Sequence, residues 1–154
     1  MLVTITTDAS YYHQHKIGGF AFWITSTLGR ASLAGAFKAN IESSHDAEFK
    51  SIINSLHYLK KLNWPITDLY INTDSMSVIT AIETGGGKPQ HAKDNLNSYQ
   101  LILKELNNPR VSLRHVKGHL HTKTARHWVN SWCDKEAGKA ARKKIKDLFG
   151  GFKN

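Results

Sequence analysis

The chain is short of cysteine, of acids and of long apolar runs, and each shortage removes a class of protein. Of 154 residues only Cys133 is a cysteine. One thiol closes no internal disulfide, which excludes the stapled frameworks of small secreted domains and makes a reducing compartment, the cytoplasm, the expected location. No stretch of about 18 apolar residues occurs, so nothing reads as a membrane span and no membrane partner is expected. The N-terminus reaches Asp8 before an apolar leader segment forms, so no secretory signal is read there. Repeats, linkers and low-complexity segments are missing too. Acids number 12 against 21 lysines and arginines, a formal charge of +9. That excess favours a polyanionic partner, nucleic acid above all; the alternative is a basic surface kept for solubility.

What is present is ordinary in amount. Apolar residues make up 40% and charged residues 21%, which suits one soluble domain with a real core. That domain is expected over residues 1–150, with a frayed tail at 151–154, as a monomer.

The order of elements carries more. Leu2 to Asp8 is apolar and β-branched, a buried strand. Tyr11 to Lys16 reads as a loop. Ile17 to Thr25 and Arg30 to Ala39 read as two more strands joined by a short turn, so the three form an antiparallel meander. Ser44 to Leu62 is a helix with apolar positions at helical spacing, capped by Ser43 or Ser44 and stopped at Asn63-Trp64-Pro65. Ile66 to Thr73 is a fourth strand, and the strand–helix–strand passage makes it a parallel neighbour of an earlier one. Helices are expected over Ser75 to Glu83 and Asp94 to Leu106, with the three glycines at 85–87 a flexible connector. Val111 to Lys117 is a fifth strand. A polar loop follows to about Val129, and a last helix runs from Asn130 or Ser131 to Leu148. The fold class is therefore α/β: a five-stranded mixed sheet, three strands antiparallel and two parallel, flanked by helices.

Four acids stand out against that frame. Asp8 and Asp74 close two strands, each followed by small residues, at the sheet edge where ligands of open α/β sheets collect. Glu48 lies on the margin of its helix's apolar stripe, and Asp134 falls between Ala141 and Ile145 on the wheel of the last helix, so both are expected to face inward. Inward carboxylates repel one another unless cations sit among them, and oxygen-only donors favour Mg²⁺ or Mn²⁺ over zinc. Two such ions about 4 Å apart are the arrangement that clamps the oxygens of a phosphoryl displacement. Zinc held by His115, His119, His121, His127 and Cys133 fits no standard spacing. Trp23, Trp64 and Trp132 read as core. Trp128 and Tyr11-Tyr12 stay open as base-stacking candidates. The run Lys135, Lys139, Arg142, Lys143, Lys144 and Lys146 reads equally as a solvated helix face or as a backbone-binding stripe.

Taken together, Thr7-Asp8-Ala9-Ser10, Gly18-Gly19, Asp46-Ala47-Glu48-Phe49, Thr73-Asp74-Ser75, Val116-Lys117-Gly118-His119 and Asn130 to Ala137 match, in order and spacing, the motifs of type 1 ribonuclease H. The chain resembles that family over nearly its whole length. The resemblance implies an endoribonuclease that hydrolyses the RNA strand of RNA/DNA hybrids with two Mg²⁺ ions, Mn²⁺ substituting, and leaves 5′-phosphate and 3′-hydroxyl ends. It implies Asp8, Glu48, Asp74 and Asp134 as metal ligands, with Asp8 bridging both ions. His119 would be the histidine that moves protons or helps product leave. Nucleic-acid contacts are implied for Ser10, Gln14, Ser43, Ser44, His45, Asn95 and Lys117, with Ser43 and Asn95 at a DNA phosphate. Departures from the family pattern fall in the groove-reading positions: Ser44-His45 precedes the Ala-Glu pair, Met76 follows Asp74-Ser75, and Gln14 stands where Asn is usual. These keep two alternatives open: the same fold cutting duplex RNA, DNA or branched DNA, and a non-catalytic nucleic-acid-binding module.

Overall fold

The structure, a computed structural model, describes residues 1–87, 89–116 and 125–150, with the side chains of 125–127 left aside. Among these residues five strands and four helices follow in the order β1 (Leu2–Tyr12), β2 (Ile17–Ser26), β3 (Gly29–Ala36), α1 (Ser44–Leu62), β4 (Asp68–Thr73), α2 (Met76–Thr84), α3 (Gln90–Glu105), β5 (Arg110–His115) and α4 (Ala125–Phe149). The strands make one sheet in the order β3-β2-β1-β4-β5. β1, β2 and β3 pair antiparallel, while β4 lies parallel to β1 and β5 parallel to β4. The meander and the crossover stand as expected.

Strand alternation sorts the two faces. Val3, Ile5, Phe22, Ile24, Leu69 and Ile71 point to one side, where Phe49, Ile52, Leu56 and Leu59 of α1 and Tyr99 and Ile102 of α3 complete the main core. On the other side Ala21 meets Cys133 and Ala137 of α4. α4 lies close against β2 because the residues between them are small. A Cβ built on Gly19 would stand 2.1 Å from the Ala137 carbonyl oxygen and 2.7 Å from the Ala141 nitrogen. Only glycine leaves room for the helix backbone there.

Several boundaries differ from the sequence reading. β1 runs on to Tyr12 because its pairing with β2 continues to Tyr12↔Ile17, and Lys16 turns the hairpin at φ 52°. α3 begins at Gln90, one turn before Asp94, and its N-cap Pro89 offers no side-chain cap that would have announced it. α4 begins at Ala125 rather than near Asn130. β4 starts at Asp68 and β5 stops at His115.

Candidate active site

The site begins where two parallel strands part. The β1–β4 ladder ends at Thr6↔Asn72. Asp8 and Asp74 each lie two residues beyond that last pair, so the same chain geometry delivers both carboxylates to the same edge. Asp8 does not end its strand, as the sequence reading had it; β1 continues along β2 while β4 turns away, and the gap opens between them.

Glu48 reaches this gap from α1. The helix starts at N-cap Ser43, whose hydroxyl accepts the Asp46 N–H at 3.0 Å, and Glu48 follows one turn on. Ser51 of the same helix donates its hydroxyl to the Asp8 carbonyl at 3.0 Å, which stitches α1 to β1 beside the acids. The Ala9 N–H lies 2.9 Å from Asp8 Oδ1 and 3.3 Å from Glu48 Oε1, orienting both. Oxygens of Asp8, Glu48 and Asp74 all lie within 4.8 Å of one another.

Such crowding is costly for anions. Burial first, then the charges of Asp74 and Asp134, push Asp8 up to about 8. Burial first, then Asp8 and Asp74, raise Glu48 well above the usual carboxylate range. Glu48 Oε2 is buried with no hydrogen-bond partner among the described residues. A carboxylate that crowds two others and keeps a buried, orphaned oxygen has a lone pair waiting for a cation. The donors are all hard oxygens, and they fit a divalent ion of the Mg²⁺ or Mn²⁺ kind.

Asp134 stands differently. It is exposed, and it is outside the three-carboxylate group, although its charge reaches both Asp8 and Cys133. The buried stripe of α4 is Cys133, Ala137, Ala141 and Ile145, and Asp134 is one step off it. With α4 starting at Ala125, Asp134 is in its third turn rather than its first. Cys133 itself is buried, its thiol donating to the Thr6 carbonyl at 3.5 Å; burial raises it far above the ordinary thiol range, so it is inert.

The positions expected at nucleic acid scatter around this centre. Ser10 is half-buried on β1 opposite Gly19, and Gln14 is exposed in the β1–β2 turn. Ser44 is exposed at the start of α1. His45 holds Ser77 Oγ at 3.0 Å through Nδ1 and meets Phe49 edge-on; burial and the neighbouring His91 lower its pKa against the pull of Asp46. Asn95 is buried, and its amide donates to Asp46 Oδ1 at 2.7 Å. His119 and Lys117 lie outside the described residues.

Asp46 is the residue the sequence reading passed over. It is fully buried and accepts from the Glu42 N–H at 2.9 Å, from Lys50 Nζ and from Asn95. Burial alone would raise it, but these donors outweigh burial and hold it below the ordinary carboxylate range. A signal existed: Ser43-x-x-Asp46 ahead of an apolar run is a capping-box pattern.

Comparison with known proteins agrees with this architecture. The sequence pattern of the RNase H family matches residues 2–142. Among solved structures, LC11-RNase H1, isolated from compost and determined in complex with an RNA/DNA hybrid, superimposes with a TM-score of 0.75 at 15% identity, covering 93% of this chain and 99% of its own. The N-terminal RNase H domain of rv2228c from Mycobacterium tuberculosis gives 0.71 at 16% identity, covering 96% and 98%. RNase H1 from the halophilic archaeon Halobacterium salinarum gives 0.69 at 15%, covering 91% and 97%. No curated protein matches the sequence. At these identities the structures speak for the fold and the sequence pattern speaks for the family: the chain belongs to the RNase H family.

Proposed function

We propose that the chain is an endonuclease that hydrolyses the RNA strand of RNA/DNA hybrids and leaves 5′-phosphate and 3′-hydroxyl ends. The observation that carries this reading is the buried, unpartnered Glu48 Oε2 among three converging carboxylates. Family membership supports a metal-dependent nuclease, and a structural relative bound to an RNA/DNA hybrid supports the substrate class. Asp8, Glu48 and Asp74, with Asp134 beside them, would hold two Mg²⁺ ions. Bound there, the ions supply positive charge to the reacting phosphate and lower the pKa of water.

The chain's own residues do the rest. The Ala9 N–H fixes the facing oxygens of Asp8 and Glu48. Its excess of lysine and arginine draws in the phosphate backbone. His119 is assigned the proton at the leaving or attacking oxygen, the task that suits an imidazole near neutral pH. Ser10, Gln14, Ser43, Ser44, His45 and Lys117 are assigned to the nucleic acid.

Asn95 favours a second reading on substrate range. Its amide is committed to Asp46, which leaves it less to offer a DNA phosphate and favours looser discrimination between hybrid and other duplexes. The deciding assay follows a labelled hybrid in Mg²⁺ beside duplex RNA and duplex DNA of the same sequence. Asp8→Asn and Asp74→Asn should each lower hybrid cleavage by roughly a hundredfold or more, since even residues that only support metal ligands are worth 10–100-fold. Cleavage that survives both substitutions refutes the site.

A further inference from the structure

Among the described residues, helices cover β4 and β5 on one side of the sheet only. Parallel strands are ordinarily buried on both faces, and α1 and α3 supply the cover on one. On the other, α4 packs on β1, β2 and β3. Beside its N-terminal turns a groove of about 400 Å³ opens over β1, β4 and β5, inside the range of roughly 300–1,000 Å³ typical of ligand clefts. Its lining is mostly apolar with polar side chains set into it: Thr4, Thr6 and Asn72, with Asn72 Nδ2 donating to Thr6 Oγ1 at 3.1 Å.

Its flat surfaces are those that hold bases. Arg114 Cζ lies 4.3 Å from the centroid of the Tyr70 ring, and Arg114 Nε donates to Asn72 Oδ1 at 2.8 Å, so the guanidinium is laid down as a platform. Trp23 lines the groove and is met edge-on by Trp128, ring centroids 5.6 Å apart. Trp128 is 59% exposed, the largest apolar side chain left in water among the described residues. Arg30 stands 6.0 Å over Trp23. Arg114 is the one charged side chain among the described lining residues, and Asp68, on the same face two residues before Tyr70, is neutralised by Arg110 at 2.8 Å. A protein partner would also use tryptophan, tyrosine and arginine, but an arginine stacked on a flat ring, beside a second arginine over Trp23 and in a chain of +9, selects a polyanion whose units stack. The groove also leads to the acids. Thr6 and Asn72 each precede Asp8 and Asp74 by two residues, about 7 Å of strand.

We propose that this face binds single-stranded nucleic acid, bases stacking on Trp128 and on the Arg114–Tyr70 platform, so that an unpaired strand flanking the duplex is held beside the cleavage site. Only the flanking of a cleaved duplex rests on the nuclease reading, and the binding test is run in chelator so that the two fail separately.

The probe is a fluorescein-labelled oligothymidylate of about 12 nucleotides, titrated with the full chain at low salt and followed by anisotropy. It should bind and quench tryptophan emission. Trp128→Ala and Arg114→Ala should each weaken binding roughly fivefold or more, Trp128→Tyr should restore it, and Asp8→Asn should leave it unchanged. Trp128→Ala should still cut a blunt hybrid at the parental rate, which separates lost stacking from lost fold. Two results overturn the proposal: oligothymidylate binding equal in parent, Trp128→Ala and Arg114→Ala, or no binding with tryptophan emission unaltered, which would leave a second protein as the occupant of the face.

Discussion

At the scale of single residues, the three carboxylates make the metal-free protein sensitive to pH in an unusual direction. A raised acid holds its proton in the folded chain after the unfolded chain has released it. Between the ordinary aspartate value of 3.8 and about 8, to which burial and its neighbours push Asp8 in the folded chain, the folded chain therefore carries more protons. Stability falls as pH rises through that interval, by at most about 1.4 kcal/mol per pH unit for each proton held. Thermal melts in chelator should lose midpoint steadily from about pH 5 to pH 8, and Asp8→Asn should flatten the slope. Added Mg²⁺ should restore the midpoint at the alkaline end, because a cation replaces the protons. A melt that rises across that interval without metal contradicts the crowding. Asp46 presents the contrary case, a buried acid satisfied from within. Asp46→Ala strands the Asn95 amide and the Lys50 ammonium, and breaking such a pair costs about 3 kcal/mol. A shift in the urea midpoint of that size, with a smaller one for Asp46→Asn, is the expected outcome. The three clustered carboxylates were legible because Asp8 and Asp74 follow parallel strands by the same two residues and Glu48 borders an apolar helix stripe, which confines where each side chain can point. Glu42 and Lys50 lie four residues either side of Asp46, but Asp46 was passed over because its burial and its third partner, Asn95, arrive only once α3 is docked.

At the scale of elements, legibility followed the strength of local signals. α1 declared both its ends: Ser43 caps it, and Asn63 closes it at φ 55°, in the left-handed region. The bounds read from sequence are those observed. α3 begins a turn earlier than read because its N-cap, Pro89, carries no capping side chain to announce it, and α4 begins at Ala125, more than a turn before the residue read as its start. The helical wheel placed Asp134 inward; the stripe it borders is buried, but a wheel has no knowledge of where the sheet beneath stops, and Asp134 is exposed. The spacing between α4 and β2 is set by Gly19. Gly19→Ala would drive a methyl into the backbone of α4 at Ala137 and Ala141, and backbone cannot step aside as a side chain can. Overpacking of this kind costs about 1–3 kcal/mol. Because Asp134 lies one turn before Ala137 on that helix, cleavage should fall by more than the loss of folded protein explains. Comparing the melting midpoint with activity per folded molecule checks both parts.

For the whole molecule, the question the sequence left evenly balanced is what the basic face of α4 is for. Lys135, Lys139, Arg142 and Lys146 recur at helical spacing and are all exposed, so they form one stripe along the helix that carries Asp134. Some of this charge is already occupied. Lys144 Nζ donates to the Phe37 carbonyl at 2.6 Å, tying the helix to the end of β3, and Arg142 reaches the Tyr12 hydroxyl at 3.5 Å. Lys139 pairs with Glu136 at 3.5 Å across open water, an interaction of little worth to stability. Lys135, Lys139 and Lys146 can therefore be replaced by alanine together with little effect on the fold. If the stripe tracks a phosphate backbone, the triple variant loses affinity for a hybrid held uncut in chelator, and the dependence of log affinity on log salt becomes shallower by about one for each contact removed. The loss should be uniform across sequences, since phosphates carry none of the base identity. A merely solvated face predicts the opposite pattern: affinity falling slightly through net charge alone, with the salt slope unmoved. Because the slope counts contacts while affinity sums every charge in the field, the slope is the measurement that separates a binding stripe from a soluble one.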